Sequence, residues 1–136
     1  MYPRNNPALS DQITGSLGEG SPFELTHGFY IDGCGPETSQ LPQDWHKRVT
    51  LVCNINTDHA KGFCIHPSDA AYAKLYAGRP KDFTYVQTLF EEKIIAPSDL
   101  TKHLKFESDA KVKSTVEKNL QITLSKVASC GENNSP

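Results

Sequence analysis

The sequence predicts an α+β fold: a small mixed sheet with helices packed on one side. Three observations lead there. Strand-like segments at 27–32, 48–54 and 62–66 come early in the chain. Helical patterns then follow one another from Ser68 to Val127. Strands followed by a run of helices, rather than alternating with them, segregate the helices to one face of a sheet.

The chain opens with a predicted short helix. Asn6 is a helix-capping residue and Pro7 suits the first helical position. Leu9, Ile13 and Leu17 then recur on one helical face. Gly15, Gly18 and Gly20 break the pattern. The first strand is expected at 27–32 (HGFYID), rich in aromatic and β-branched residues and stopped by Gly33, Gly35 and Pro36. A long connection holding Trp45 leads to the second strand at 48–54, where Val49, Leu51 and Cys53 alternate. The third strand, at 62–66, stops at Pro67.

From there the period becomes helical. Ser68 is the expected N-cap, with Asp69 placed where a negative charge meets the helix dipole. Tyr72, Leu75 and Tyr76 form the apolar stripe, Gly78 the C-terminal cap, and Pro80 the start of the next helix. Phe83, Val86 and Phe90 form the stripe of that helix, with Leu89 beside it. Pro97-Ser98-Asp99 starts a third helix, expected over 99–104. Ser108-Asp109 starts the last, whose face is Val112, Val116, Leu120, Leu124 and Val127. The expected division is an α+β domain at 1–105, an amphipathic helix at 106–129 and a flexible tail at 130–136.

The 136 residues suit one ordinary domain. A net charge of −2 without a basic block disfavours a nucleic-acid partner. No apolar run approaches the roughly 18–20 residues that span a bilayer, and the N-terminus lacks the apolar core of a secretory signal. A cytoplasmic location is expected, with Cys34, Cys53, Cys64 and Cys130 as free thiols. Cys53, His59, Cys64 and His66 are zinc-compatible types without the close pairing of structural zinc sites, so no metal ligand is assigned. No nucleophile elbow, Walker loop or Asp-x-Asp pair occurs. No catalytic residue is assigned either.

One constellation stands out: Lys74, Arg79, Lys81 and Asp82 around the bend between two helices. A helix N-terminus with three cations beside it favours a phosphate. The plain alternative is a solvated corner in which Asp82 caps its helix and pairs with a neighbouring cation.

The residues from Tyr2 to about Leu104 carry a resemblance. The pieces are Tyr2-Pro3-Arg4-Asn5 with Pro7, Gly18-Glu19 with Ser21-Pro22-Phe23, Gly28-Phe29-Tyr30, Gly35-Pro36-Glu37-Thr38, Leu41-Pro42, Trp45 and Arg48. His66-Pro67-Ser68-Asp69 then runs into Lys74-Leu75, Ala77-Gly78-Arg79 and Lys81-Asp82. In this order they resemble a bacterial family of nucleotidyltransferase-like proteins of unknown function, DUF6036. The last piece is also similar to a motif of toxin-type nucleotidyltransferases. That resemblance implies Lys74 and Lys81 on nucleotide phosphates and Asp82 in support. It implies Mg²⁺ and a nucleotide as cofactors if the family activity is retained.

The family's catalytic Gly-Ser motif and metal-binding acids precede the Tyr-Pro piece, so the resemblance implies a remnant truncated at its N-terminus. The expected function is residual nucleotide or phosphate binding without catalytic competence of the chain alone. A sheet lacking its first strands leaves an open edge, so a second copy or a protein partner is expected there. The alternative is a small self-associating or interaction protein, such as a toxin–antitoxin component. A third reading is an intact transferase whose acids come from elsewhere in the chain or from another subunit.

Overall fold

Proline sets where most helices begin. In the computed structural model, which describes residues 1–132, a 3₁₀ turn at Pro7–Leu9 leads into α1 (Ser10–Leu17). The next four helices each open on a proline: α2 (Pro22–His27), α3 (Pro67–Ala77), α4 (Pro80–Glu91) and α5 (Pro97–Phe106). Proline lacks the N–H that a first helical position leaves unused, and its φ is preset for the helix. The last helix, α6 (Ala110–Glu132), starts on Asp109, whose Oδ1 accepts from the amides of Lys111 at 2.8 Å and Val112 at 3.1 Å. Helix therefore continues into the tail expected at 130–136, and residues 133–136 lie outside the described ones.

The chain divides into two compact units, Met1–Ser39 and Gln40–Pro136. In the first, the strand expected at 27–32 is absent. His27 ends α2, and Gly28 caps that helix in the left-handed region at φ 76°. The segment that follows finds its partners on α1 and at Met1 instead of in a sheet. Ile31 N donates to Leu17 O at 2.8 Å, Gly33 N to Thr14 Oγ1 at 2.9 Å and Cys34 N to Met1 O at 2.8 Å. Residue types suited to a strand do not make one without a neighbouring strand. Helix α2 was missed, although Ser21 Oγ accepts from Glu24 N at 3.3 Å in the capping arrangement that its Ser-x-x-Glu sequence announces.

In the second unit the other two strands form, each shorter than expected: β1 (Thr50–Val52) and β2 (Gly62–Cys64). They pair antiparallel, not as a mixed sheet, with Thr50 opposite Cys64, Leu51 opposite Phe63 and Val52 opposite Gly62. All six residues are exposed. The core lies among the helices. Ala71, Tyr72 and Leu75 of α3 pack with Val86 and Leu89 of α4, Leu100 and Leu104 of α5, and Val112, Val116 and Leu120 of α6. The class is α+β as expected, with the helices packing on one another.

The start of α3 differs from expectation in one respect. Its N-cap is His66, whose Nδ1 accepts from Ser68 N at 3.2 Å, while Ser68 sits in the first turn and is buried. Pro67 holds the first helical position, which moves the cap two residues back. At the other end Gly78 adopts φ 65° and donates its N–H to Lys74 O at 2.9 Å. The carbonyl of Leu75, also left over at the helix end, accepts from Asn119 Nδ2 of α6 at 2.7 Å.

Candidate functional site

The bend between α3 and α4 brings three of the four expected site residues together. Asp82 is 1 % exposed although two residues earlier the chain is at the surface. Its Oδ2 accepts from Arg79 Nε at 2.7 Å and from the Arg79 amide at 3.1 Å. Its Oδ1 takes Lys74 Nζ at 3.2 Å and Arg79 Nη2 at 3.3 Å. The carboxylate thus caps α4 and anchors two cations at once. Burial pushes the Asp82 carboxyl up, but the bonds from Arg79 and Lys74 outweigh it and hold the group below its ordinary range. Lys74 also lies over the Tyr85 ring, 5.6 Å from its centre.

Lys81 does not join them. It is exposed in the first turn of α4 and forms no ion pair with a described residue. The corner therefore pairs two cations, Lys74 and Arg79, with the carboxylate of Asp82, and Lys81 adds a third positive charge one residue before it in the chain. Both oxygens of that carboxylate are occupied by cations, which leaves Asp82 unsuited to holding a metal. Among the described residues no group of three or more His, Cys, Asp or Glu side chains is placed to bind a metal ion.

A second cluster escaped the sequence reading. Asp69, fully buried in the first turn of α3, is gripped by Arg48: Nη2 lies 2.7 Å from Oδ1 and Nε lies 3.0 Å from Oδ2. The same guanidinium donates through Nη2 to the Gln43 carbonyl at 3.1 Å, fixing the loop that precedes β1. His103 of α5 completes the group, with Nε2 at 3.0 Å from Ser68 Oγ and 3.4 Å from Asp69 Oδ1. Ser68 Oγ in turn lies 2.9 Å from His66 Nδ1. Burial lowers the His103 imidazole, Asp69 pulls it back up, and Arg48 lowers it again; the net direction is down. Sequence alone places Asp69 at the helix dipole. Its burial requires a cation, and the sequence does not show that Arg48, twenty-one residues earlier, supplies it.

An α+β domain with a cation-rich helix junction is the class that fold and site define. Residues 11–131 match the family model described as a nucleotidyltransferase of unknown function, DUF6036, and the chain belongs to that family. The match runs beyond Leu104, where the resemblance was expected to fade, and takes in nearly all of α6. No curated protein and no solved structure matches the chain. Among the described residues no helix is long and apolar enough to cross a membrane.

Proposed function

We propose that this nucleotidyltransferase-like domain binds the phosphates of a nucleotide at the start of α4, through Arg79 and Lys81 with Lys74 behind them. One observation supports the reading: the corner holds three cations, two of them paired to the single carboxylate of Asp82 and the third, Lys81, exposed in the first turn of α4. Arg79 is held rigid by Asp82 yet its side chain stays 56 % exposed, so a ligand can reach it. Lys81 commits its charge to no described partner. The reading is one of binding, because the Asp82 carboxylate is already engaged by Arg79 and Lys74 and is not available to Mg²⁺. The experiment is a thermal-stability titration with ATP, CTP, GTP, UTP and inorganic tripolyphosphate, with and without magnesium. Ligand at about 100 times its dissociation constant stabilises by roughly 2.7 kcal/mol. Lys81→Ala removes a phosphate contact without touching Asp82, so its loss of the shift supports the site. Shifts retained in Lys81→Ala, or no shift with any ligand, sink it.

The exposed hairpin favours a second reading, self-association with another copy of the chain. An antiparallel pairing of two β1 strands about Leu51 sets Thr50 opposite Val52 and Val49 opposite Cys53, with no like charges facing. Leu51 is 53 % exposed, and among the described residues no strand lies on the outer edge of β1. Light scattering tests it: a dimer that Leu51→Lys returns to a monomer supports the pairing, and a monomer at all concentrations refutes it.

A further inference from the structure

One carboxylate oxygen in the Arg48–Asp69–His103 cluster is approached from two sides. Oδ1 of Asp69 accepts from Arg48 Nη2 at 2.7 Å and from Arg48 Nε at 3.1 Å, and His103 Nε2 stands 3.4 Å from it. While His103 is neutral, the fully buried carboxylate faces one cation and the pair is balanced. A protonated imidazole carries an N–H on each ring nitrogen, so Nε2 becomes a charged donor whichever nitrogen held the neutral proton. Two cations then share one buried carboxylate.

The two are not equally free to yield. His103 lies within α5, at right angles to the buried Tyr72 ring with centres 6.1 Å apart, and its Nε2 is 3.0 Å from Ser68 Oγ. Its side chain is 12 % exposed, against 31 % for Arg48. Arg48 sits on a long stem before β1 and can carry its charge into water. Excess buried charge favours the arrangement that returns the more exposed cation to solvent.

Arg48 also ties an arm of the chain to the helices. Its Nη2 donates to the Gln43 carbonyl at 3.1 Å and its amide to the Trp45 carbonyl at 2.9 Å, so one residue holds both the turn and the Asp69 contact. Beyond it, β1 and β2 are exposed along their whole length and supply no residue to the buried core. Before it, Pro42 is fully buried and anchors the arm at its other end.

The charged groups acting on His103 are Asp69 of α3, Arg48 of the arm, Asp99 of its own helix and His66 just before α3; none of them lies in α4 or α6. Asp99 pairs with Lys102 at 3.0 Å, Asp44 with Lys47 at 3.1 Å, and Glu107 accepts the Tyr72 hydroxyl at 2.6 Å. Asp69 is therefore the anion that a charged His103 can take, and Arg48 the cation it displaces. We propose that Arg48 and His103 form an acid-operated latch on Asp69: when His103 takes up a proton, Arg48 lets go of Asp69 and Gln43, and the arm from Gln43 through the β1–β2 hairpin loosens while the helical core stays folded. The Asp69 charge remains paired, now with His103, so the core keeps its balance. The latch needs neither the phosphate corner nor the pairing of two copies.

The test uses the full chain labelled with ¹⁵N, taken from about pH 8 to about pH 5, above the ordinary carboxylate range. NMR follows each imidazole, the Arg48 Nε–H and the backbone amides. Arg48 Nε–H and the amides paired across β1 and β2 are expected to lose protection about fivefold or more, corrected for the intrinsic pH dependence of exchange, with the midpoint of His103. The amides of α3 and α6 keep theirs. His103→Gln, which takes up no proton, is expected to keep the arm latched across the range; the wild-type titration decides alone if that variant does not fold. Arg48 Nε–H protection that stays constant while His103 titrates overturns the proposal. So does a step that follows His66 or His46 instead, a step that persists in His103→Gln, or α6 amides that open together with the hairpin.

Discussion

Arg48 and Asp69 meet through two parallel contacts, Nη2 to Oδ1 at 2.7 Å and Nε to Oδ2 at 3.0 Å, with the carboxylate wholly out of water. Breaking such a pair from one side leaves a buried charge unopposed. Arg48→Ala is expected to destabilise the fold by about 3 kcal/mol, the lower end for a buried pair because the Arg48 side chain keeps 31 % of its surface exposed. Asp69→Asn in the Arg48→Ala background should recover part of the loss. Urea denaturation of the two variants and the wild type checks both expectations; an Arg48→Ala chain as stable as wild type would show that the pair contributes nothing.

At the α3–α4 corner the expectation separates by residue. Asp82→Ala removes the α4 cap and frees two cations, with a cost of about 1–2 kcal/mol for the cap alone. Lys81→Ala touches none of those bonds and is expected to stay within about 0.5 kcal/mol of wild type. A measurable stability loss in Lys81→Ala would mean that its side chain has a structural partner.

Acid acts on the two clusters in the same direction at different pH. His103 is held below its ordinary 6.5, burial being the main cause and Asp69, Arg48, Asp99 and His66 the charged neighbours. The unfolded chain takes up this proton first, so stability declines as pH falls below 6.5 and levels off once folded His103 is protonated as well. Asp82 is held below its ordinary 3.8, so its contribution is complete above that value and disappears as pH falls through its folded range. Denaturation midpoints between pH 8 and pH 3 should show two declines, and His103→Gln should remove only the upper one.

Gly78 and Asn119 constrain each other. At φ 65° a side chain is strained, and a Cβ on Gly78 would come 2.9 Å from Asn119 Nδ2, the atom that satisfies the Leu75 carbonyl. Gly78→Ala is expected to cost about 1–2 kcal/mol, backbone strain and a displaced amide together. Because the amide is shared, Asn119→Ala should add less in that background than alone, which a double-mutant cycle measures.

What could be read in advance was local. Gly78, Pro80 and Asp82 stand within one bend, so capping rules place them and the corner they build. The periods of α3, α4 and α6 name most of the core, from Tyr72 to Leu120. The segment at 27–32 has strand composition, but strand pairing is a property of two segments and composition belongs to one. The Arg48–Asp69–His103 cluster joins three separate elements, and nothing within any of them marks the other two. Only His66-Pro67-Ser68-Asp69, with three polar residues at the start of a helix that must be buried, hinted that polar partners would have to come from elsewhere.

Met1–Ser39 has a different kind of cohesion from the helical core. None of its large apolar side chains is buried; Gly18 and Ser21 are its buried residues. Its order rests on hydrogen bonds such as Ile31 N to Leu17 O and Gly33 N to Thr14 Oγ1. Amide protons in such a segment exchange with solvent through small, frequent openings, while those of α3 and α6 wait for the core to come apart. The molecule therefore keeps two clocks, a fast one over its first 39 residues and a slow one set by the helices, and only the slow one measures the stability of the fold.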